Sequence, residues 1–202
     1  NFYIKREINT QKFLPKLIKI YKYTNIKFLK KINNSYFYSE GNRENLSFVL
    51  QVTKILKIKK NNLLKTLKKF KGLKYRQQII YRSKDLTIIN DSKSTSFSSS
   101  VSILKSMTNV IWIVGGIAKK NDKFLLSKIN CKSFKAYIFG KNKSTFISEL
   151  KNIIKYESFT NLKFLIKKVF LDIKKNENRK HKTILFSPAA ASFDSFKNFE
   201  ER

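Results

Sequence analysis

The chain has 202 residues, with 44 Lys and Arg against 13 Asp and Glu, a formal net charge of +31. It is 42% hydrophobic and 14% aromatic, enough to bury a core, which excludes a disordered chain. No apolar run approaches the roughly 18–20 residues of a membrane helix, and no secretory signal opens the sequence. One cysteine, Cys131, excludes an internal disulfide and fits a reducing cytoplasm. With a single Cys and a single His, His181, a His/Cys metal site is excluded by count. A start at Asn1 rather than Met suggests a partial or trimmed chain. The charge invites a nucleic-acid reading. However, the lysines are spread along the whole length, and Tyr and Phe sit at core-like spacing rather than in an RNP-type pattern. A chain crowded with Lys, Asn, Ile and Phe is also what an A+T-rich genome encodes. We therefore read the charge as composition, bearing on solubility and not on fold.

Residues 1–38 carry short apolar pieces, such as Phe13-Leu14 and Ile18 to Tyr21, cut up by lysines; they read as short strands or a frayed segment. From Asn42 the pattern clears. Leu46, Val49, Leu50 and Leu56 mark one face of a helix, with Asn42 as its N-cap and Glu44 in the first turn. A second helix has Leu63, Leu67 and Phe70 on one side and stops at Gly72. After Gly72 the rhythm changes. Residues 77–81 and 86–90 read as strands, 99–107 as a helix, and 110–114 and 135–140 as strands. Residues 146–154 and 161–173 read as helices and 182–187 as the last strand. Strand, loop and helix in repetition predict an α/β fold: a Rossmann-like, mostly parallel sheet flanked by helices. The boundary falls near Gly72.

In open α/β sheets ligands bind at the carboxyl ends of strands, and three strand ends here are unusual. The first is NDSKSTS (90–96). It leads into a helix whose N-terminal N–H groups favour anions, with hydroxyls at Ser92, Ser94, Thr95 and Ser96 as further donors. Lys93 offers a point charge for phosphate and Asp91 an acceptor for ribose hydroxyls. The same residue types also make ordinary caps and turns. The second is GGIAKKNDKF (115–124), two glycines and then Lys119; it matches neither a phosphate loop nor GxGxxG. The third is SPAAASFDSFKNFE (187–200), in which Ser187 and Ser192 do not form a nucleophile elbow. His181, in a basic loop, reads as solvated, so a Ser-His-acid triad is not expected.

Taken together and in order, these stretches resemble the Mur ligase family, and within it the branch that adds D-glutamate. That branch shows F-x-G-L-x-H-R, then N-D-S-K-A-T-N, then G-G-x-x-K, then S-P-A-x-A-S-x-D-x-F-x-N-F-x-x-R. The chain reads FKGLKYR (70–76), NDSKSTS (90–96), GGIAK (115–119) and SPAAASFDSFKNFEER (187–202). NRENLSFVL (42–50) resembles a helix start at the end of the family's central ATPase domain. The likeness covers about 160 of the 202 residues. It implies two parts: residues 1–72 as the end of an α/β ATPase domain, and 73–202 as most of a Rossmann-like C-terminal domain. It also implies Asn42, Arg76, Asp91 and Lys93 on ATP, and Thr95, Lys119, Ser192 and the backbone of Phe199 on D-glutamate.

The activity implied is ATP-dependent amide formation in peptidoglycan synthesis, with UDP-N-acetylmuramoyl-L-alanine, D-glutamate and ATP as substrates and Mg²⁺ as cofactor. A cytoplasmic monomer is expected. Tyr75 stands where the family has His, Gly41 where a His precedes the matched Asn, and Ser96 where Asn is usual. The chain has no GxxGK[ST] loop and no candidate for the family's carbamylated lysine or Mg²⁺ ligands. On its own it is expected to be inactive. The alternatives are another Mur-type or a folylpolyglutamate-type ligase, whose D-Y-A-H-N-P-type motif is replaced here by NDSKSTS, and a basic nucleic-acid-binding protein.

Overall fold

The computed structural model describes residues 26–175, 180–192, 196–198 and 200–201. The chain divides into two compact units, the division falling between Lys71 and Gly72.

In the first unit, α1 (Ile26–Ile32) is followed by a 3₁₀ turn (Ser35–Tyr38), α2 (Glu40–Ile55) and α3 (Lys60–Lys69). The expectation of strands or fraying before residue 38 is corrected for the described part. Leu29 and Ile32, three apart on one helical face, are both buried, and the lysines between them point out. Phe13-Leu14 and Ile18 to Tyr21 lie outside the described residues. Asn34 joins two elements. Its Oδ1 accepts from Tyr36 N (3.0 Å), while its Nδ2 donates to the carbonyls of Leu67 (2.9 Å) and Phe70 (2.8 Å), closing the end of α3. Leu29, Ile32, Phe37, Leu46 and Leu67 form the core. Phe70 stacks on Phe37 at 5.9 Å.

α2 begins one turn earlier than its expected cap. Ser39 is the N-cap, and Asn42 lies inside the first turn, buried, its Nδ2 donating to Tyr36 O at 2.7 Å. The buried stripe therefore runs through Asn42 and Leu46 to half-buried Leu50, at i, i+4 and i+8. Val49 (44% exposed) lies beside that stripe and Leu56 (64%) past the helix end, so both face solvent. Gly72 takes a left-handed φ of 78° past α3, in keeping with a glycine stop.

The second unit contains β1 (Gln78–Arg82), β2 (Leu86–Asn90), α4 (Phe97–Leu104), β3 (Val110–Gly115), β4 (Ile117–Ala118) and β5 (Lys135–Phe139). There follow α5 (Lys143–Leu150), β6 (Lys155–Ser158), α6 (Leu162–Lys175), β7 (Lys182–Phe186) and β8 (Ala190–Ala191). Six strands form one sheet in the order β1-β2-β7-β3-β5-β6, parallel except for β1. β4 and β8 pair antiparallel as a separate ribbon. α4 starts two residues before the expected helix because Ser96 caps it, and residues 105–107 finish it as turns. α5 covers 143–150 rather than 146–154. β6, KYES, was not expected; it is an edge strand, mostly exposed, and carries no apolar alternation.

The sheet is covered on both faces. Trp112, Val114, Ala136 and Ile138 pack with Phe97 and Val101 of α4 and Phe146 and Leu150 of α5. Ile113, Tyr137, Phe139 and Ile184 pack with Leu165 and Val169 of α6. Two-sided burial explains why β3 and β5 read as near-continuous apolar runs.

Gly115 ends β3 with φ 146°, and a Cβ added there would lie 2.1 Å from the carbonyl oxygen of Phe139. Gly115→Ala is expected to destabilise the chain by about 2–4 kcal/mol, through backbone strain and forced separation of β3 from β5. Gly41→Ala, in the first turn of α2, is expected to stabilise slightly, by up to about 1 kcal/mol. Urea unfolding midpoints of the two variants, shifting in opposite directions, check both.

Candidate functional site

The sheet order decides where a ligand can sit. From β2 the chain crosses through α4 to β3, leaving a gap of one strand, and continues outward to β5 and β6. It returns through α6 and inserts β7 into the gap. The two crossovers run in opposite directions, so right-handed connections place α4 and α6 on opposite faces. The cleft of an open α/β sheet opens at such a reversal. Here the adjacent carboxyl ends are those of β2, β7 and β3, and they carry the three stretches singled out from the sequence. The β4–β8 ribbon fastens the second to the third, pairing Ile117 with Ala191 and Ala118 with Ala190. Gly115 N donates to Pro188 O at 3.0 Å.

Asp91 is the centre of this arrangement. It is 6% exposed. Its backbone N donates to Phe186 O at 2.7 Å, Oδ1 accepts from Gln77 N at 3.1 Å, and Oδ2 accepts from Ser187 Oγ at 2.8 Å. Ser187 Oγ lies 2.7 Å from Ser100 Oγ, which lies 2.8 Å from Ser94 Oγ. Trp112 Nε1 donates to Ser187 O at 2.7 Å. Burial pushes the Asp91 carboxyl up to about 6, even though the bonds from Ser187 and Gln77 and the nearby Arg76 pull it down.

The segment 75–77 is laid against 91–93 by one further contact. Tyr75 and Gln77 both have left-handed backbones (φ 63° and 48°), and Tyr75 O accepts from Lys93 N at 3.0 Å. This sets exposed Arg76 beside Asp91. Of the expected residues, Arg76, Asp91 and Lys93 come together, with Thr95 exposed on the same turn. Lys119 is exposed on the loop after β4, and Ser192 is buried just past β8. Asn42 belongs to the first unit. Phe199 lies outside the described residues.

Several expectations are corrected. Ser92 and Ser94 are buried and engaged internally: Asn90 Oδ1 accepts from Ser92 Oγ at 2.6 Å, and Ser94 joins the hydroxyl chain. Ser96 is spent as the α4 N-cap, its Oγ accepting from Ser99 N. The N-terminus of α4 is not open to an anion either, because Asp122 Oδ2 accepts from Phe97 N. His181 is exposed but not merely solvated, with Nε2 3.0 Å from Thr87 Oγ1 and Nδ1 2.9 Å from Lys84 O. Sequence reasoning missed the roles of Ser100, Ser187 and Asp122. A serine inside a helix, or an acid in a loop, gives no local signal of a partner 25 or 87 residues away. Among the described residues no three His, Cys, Asp or Glu side chains gather as a metal set, and no helix is long and apolar enough to cross a membrane.

The Asp91 carboxyl makes stability pH-dependent with a definite sign. Its folded value of about 6 lies above the ordinary 3.8, so between those values the folded state holds more protons than the unfolded one. This contribution is greatest below about pH 4 and is lost as pH rises toward 6. The size is about 3 kcal/mol. Asp91→Asn is expected to remove the slope, so that the variant gains on the wild type as pH rises from 4 to 6.5. Urea midpoints at four pH values check this; parallel curves would show that burial of Asp91 carries no such cost.

No family model matches the sequence. Curated proteins named UDP-N-acetylmuramoylalanine–D-glutamate ligase do match. The one from Wolbachia sp. subsp. Brugia malayi is 35% identical over 162 residues, covering 80% of this chain and 32% of the relative. That from Rickettsia bellii is 32% identical over 173 residues, 86% of this chain and 38% of the relative. That from Francisella tularensis subsp. tularensis is 34% identical over 184 residues, 89% and 43%. The chain thus spans about a third to two fifths of the length of these relatives. Solved structures share the fold: MurC from Thermotoga maritima (TM-score 0.54) and MurF from Acinetobacter baumannii (0.55), each 15% identical and covering 75% of this chain and 35% of theirs. Identity of a third over four fifths of the chain, on a fold common to solved Mur ligases, establishes that this chain belongs to the Mur ligase family.

Proposed function

We propose that this chain forms the amino-acid-binding part of an ATP-dependent ligase that joins D-glutamate to UDP-N-acetylmuramoyl-L-alanine. In this reading the unit before Gly72 is the end of an ATPase domain and the unit after it the third domain of a longer, cytoplasmic, monomeric enzyme of peptidoglycan synthesis. The observation that supports the reading is the convergence of NDSKSTS, GGIAK and SPAAAS at one reversal of strand order, with Lys93, Thr95, Lys119 and Ser192 among them.

The division of labour is the one that the family resemblance implies. Arg76 and Lys93 face the nucleotide as cations. Asp91 uses one lone pair on each oxygen internally and retains others with which to accept a ribose hydroxyl. Thr95 and Lys119 hold the carboxylates of D-glutamate, joined by Ser192 and the backbone of Phe199. The muramoyl-L-alanine carboxylate is converted to an acyl phosphate with release of ADP. The D-glutamate amine then attacks the carbonyl carbon, the bond to phosphate breaks, and the amine loses a proton. The protein's share is positioning and charge neutralisation. Mg²⁺ would shield phosphate charge, but the described residues offer no ligand set for it.

Lys119→Ala in the full-length ligase is expected to lower kcat/KM for D-glutamate about ten- to a hundredfold, the equivalent of one charged hydrogen bond. Lys119→Arg is expected to restore only part of it, since a guanidinium fork does not replace a compact ammonium. Lys120→Ala, one residue on and exposed, is expected to change little. Steady-state kinetics with D-glutamate varied check this. Equal, near-wild-type behaviour of the two alanine variants would place the glutamate pocket elsewhere.

A further inference from the structure

Thr95 and Lys119 stand on different connections, one after β2 and one after β4. One side chain spans the distance between them. Asp122 N donates to Lys119 O at 3.2 Å, closing a four-residue turn in which Asn121 is left-handed (φ 59°). Oδ2 of the same Asp122 accepts from Phe97 N at 2.5 Å. Phe97 is the first residue of α4 and follows Thr95 by two positions. Two hydrogen bonds therefore lead from the Lys119 backbone to the Thr95 turn.

The far side of the loop is fixed separately. Glu149 of α5 accepts from Lys123 Nζ at 2.8 Å and from Phe124 N at 3.2 Å. The Phe124 ring packs on Trp112 (5.5 Å) and Phe97 (5.8 Å). The loop is thus anchored at 122, 123 and 124, while the Lys119 side chain stays exposed. Asp122 also places its charge against the positive end of α4, so an incoming carboxylate meets its cation at Lys119 and not at the helix.

We infer that Asp122 is a positioning residue that sets the span between Thr95 and Lys119, and with it the length of amino dicarboxylate the site accepts. This rests on the proposed D-glutamate reading. Substrates one methylene apart, D-glutamate and D-aspartate, present their two carboxylates at different separations. A fixed span discriminates between them, and a slack one discriminates less.

The test uses the full-length ligase and measures kcat and KM for D-glutamate, D-aspartate and ATP in the wild type, Asp122→Ala, Asp122→Glu and Lys120→Ala. Asp122→Ala is expected to raise KM for D-glutamate about tenfold, to leave KM for ATP within about twofold, and to narrow the preference over D-aspartate. Asp122→Glu keeps the charge while shifting the loop by one methylene, and carries the test if the alanine variant fails to fold. It is expected to raise KM for D-glutamate severalfold with ATP again unaffected. Lys120→Ala is expected to match the wild type. A parallel rise in KM for D-glutamate and ATP, or a lowered Tm with unchanged selectivity, would reduce Asp122 to a helix cap and overturn the inference. So would a fall in KM for D-glutamate, which would mean that Asp122 occupies the place of a substrate carboxylate. A wild-type enzyme that does not use D-glutamate overturns the functional reading itself, and this inference with it.

Discussion

Insertion of β7 between β2 and β3 is the constraint on which the second unit turns. It brings three strand ends side by side, and it also crowds a carboxylate, several hydroxyls and an indole into a buried space. Such a cluster is costly unless each group finds a partner, and these do. Asp91 takes donors from the segment before β1 and from the residue after β7. Ser187 passes its contact on through Ser100 to Ser94, and Trp112 secures the carbonyl of Ser187. The clasp therefore joins β2, β7, β3 and the start of α4 at the level where the sheet ends.

A fixed backbone beneath exposed side chains suits a site that works by placement. Arg76, Thr95 and Lys119 are exposed, yet each rises from backbone that is tied down. The segment around Arg76 is held by Lys93 N and Asp91, the Thr95 turn by Ser94 N to Asp91 O (2.9 Å), and the Lys119 loop by Asp122 and the β4–β8 ribbon. Little orientational freedom is left to lose when a ligand arrives, which is how a scaffold lowers the entropic part of a barrier without touching the reacting atoms.

The legible parts of the sequence are those whose burial is two-sided or strictly periodic. The pattern bounds β2 to the residue, and β3, β5, β7 and α6 to within one or two, because apolar runs of five and a long 3.6-residue stripe have few other readings. β6 is invisible in the sequence, being short, polar and exposed at the sheet edge. α1 escapes because lysines flank its two buried positions, Leu29 and Ile32, and hide the period. Within the site the order of motifs is legible, but the role of individual hydroxyls is not. Ser92, Ser94 and Ser96 look equivalent in sequence; position in the fold makes the first a turn closure, the second a buried link and the third a cap.

Charge alone does not mark a candidate site on the sheet, as the end opposite the Asp91 cluster shows. Where β3, β5 and β7 begin, a cavity of about 760 Å³ is lined by Lys135, Lys168, Lys175, Lys180 and Lys182. There, however, acids are built in beside the lysines. Lys135 binds Glu157 (2.6 Å) and Asp172 (3.0 Å), and Lys168 and the Tyr137 hydroxyl also bind Asp172. Burial raises the Asp172 carboxyl, but hydrogen bonds from Lys168, Tyr137 and Lys135 outweigh it and hold the group well below the usual carboxylate range. Burial and the bond to Asp172 push Tyr137 up to about 12. That network binds β5 to β6 and α6, and its strongest cations already have their anions. At the carboxyl ends the carboxylates act differently. Asp91 and Asp122 hold backbone in place, and the exposed cations beside them face outward. In a chain with 44 basic residues, what distinguishes a candidate ligand-binding cation is a lysine or arginine on rigid backbone at a strand crossing, with the nearest acid turned to structural use.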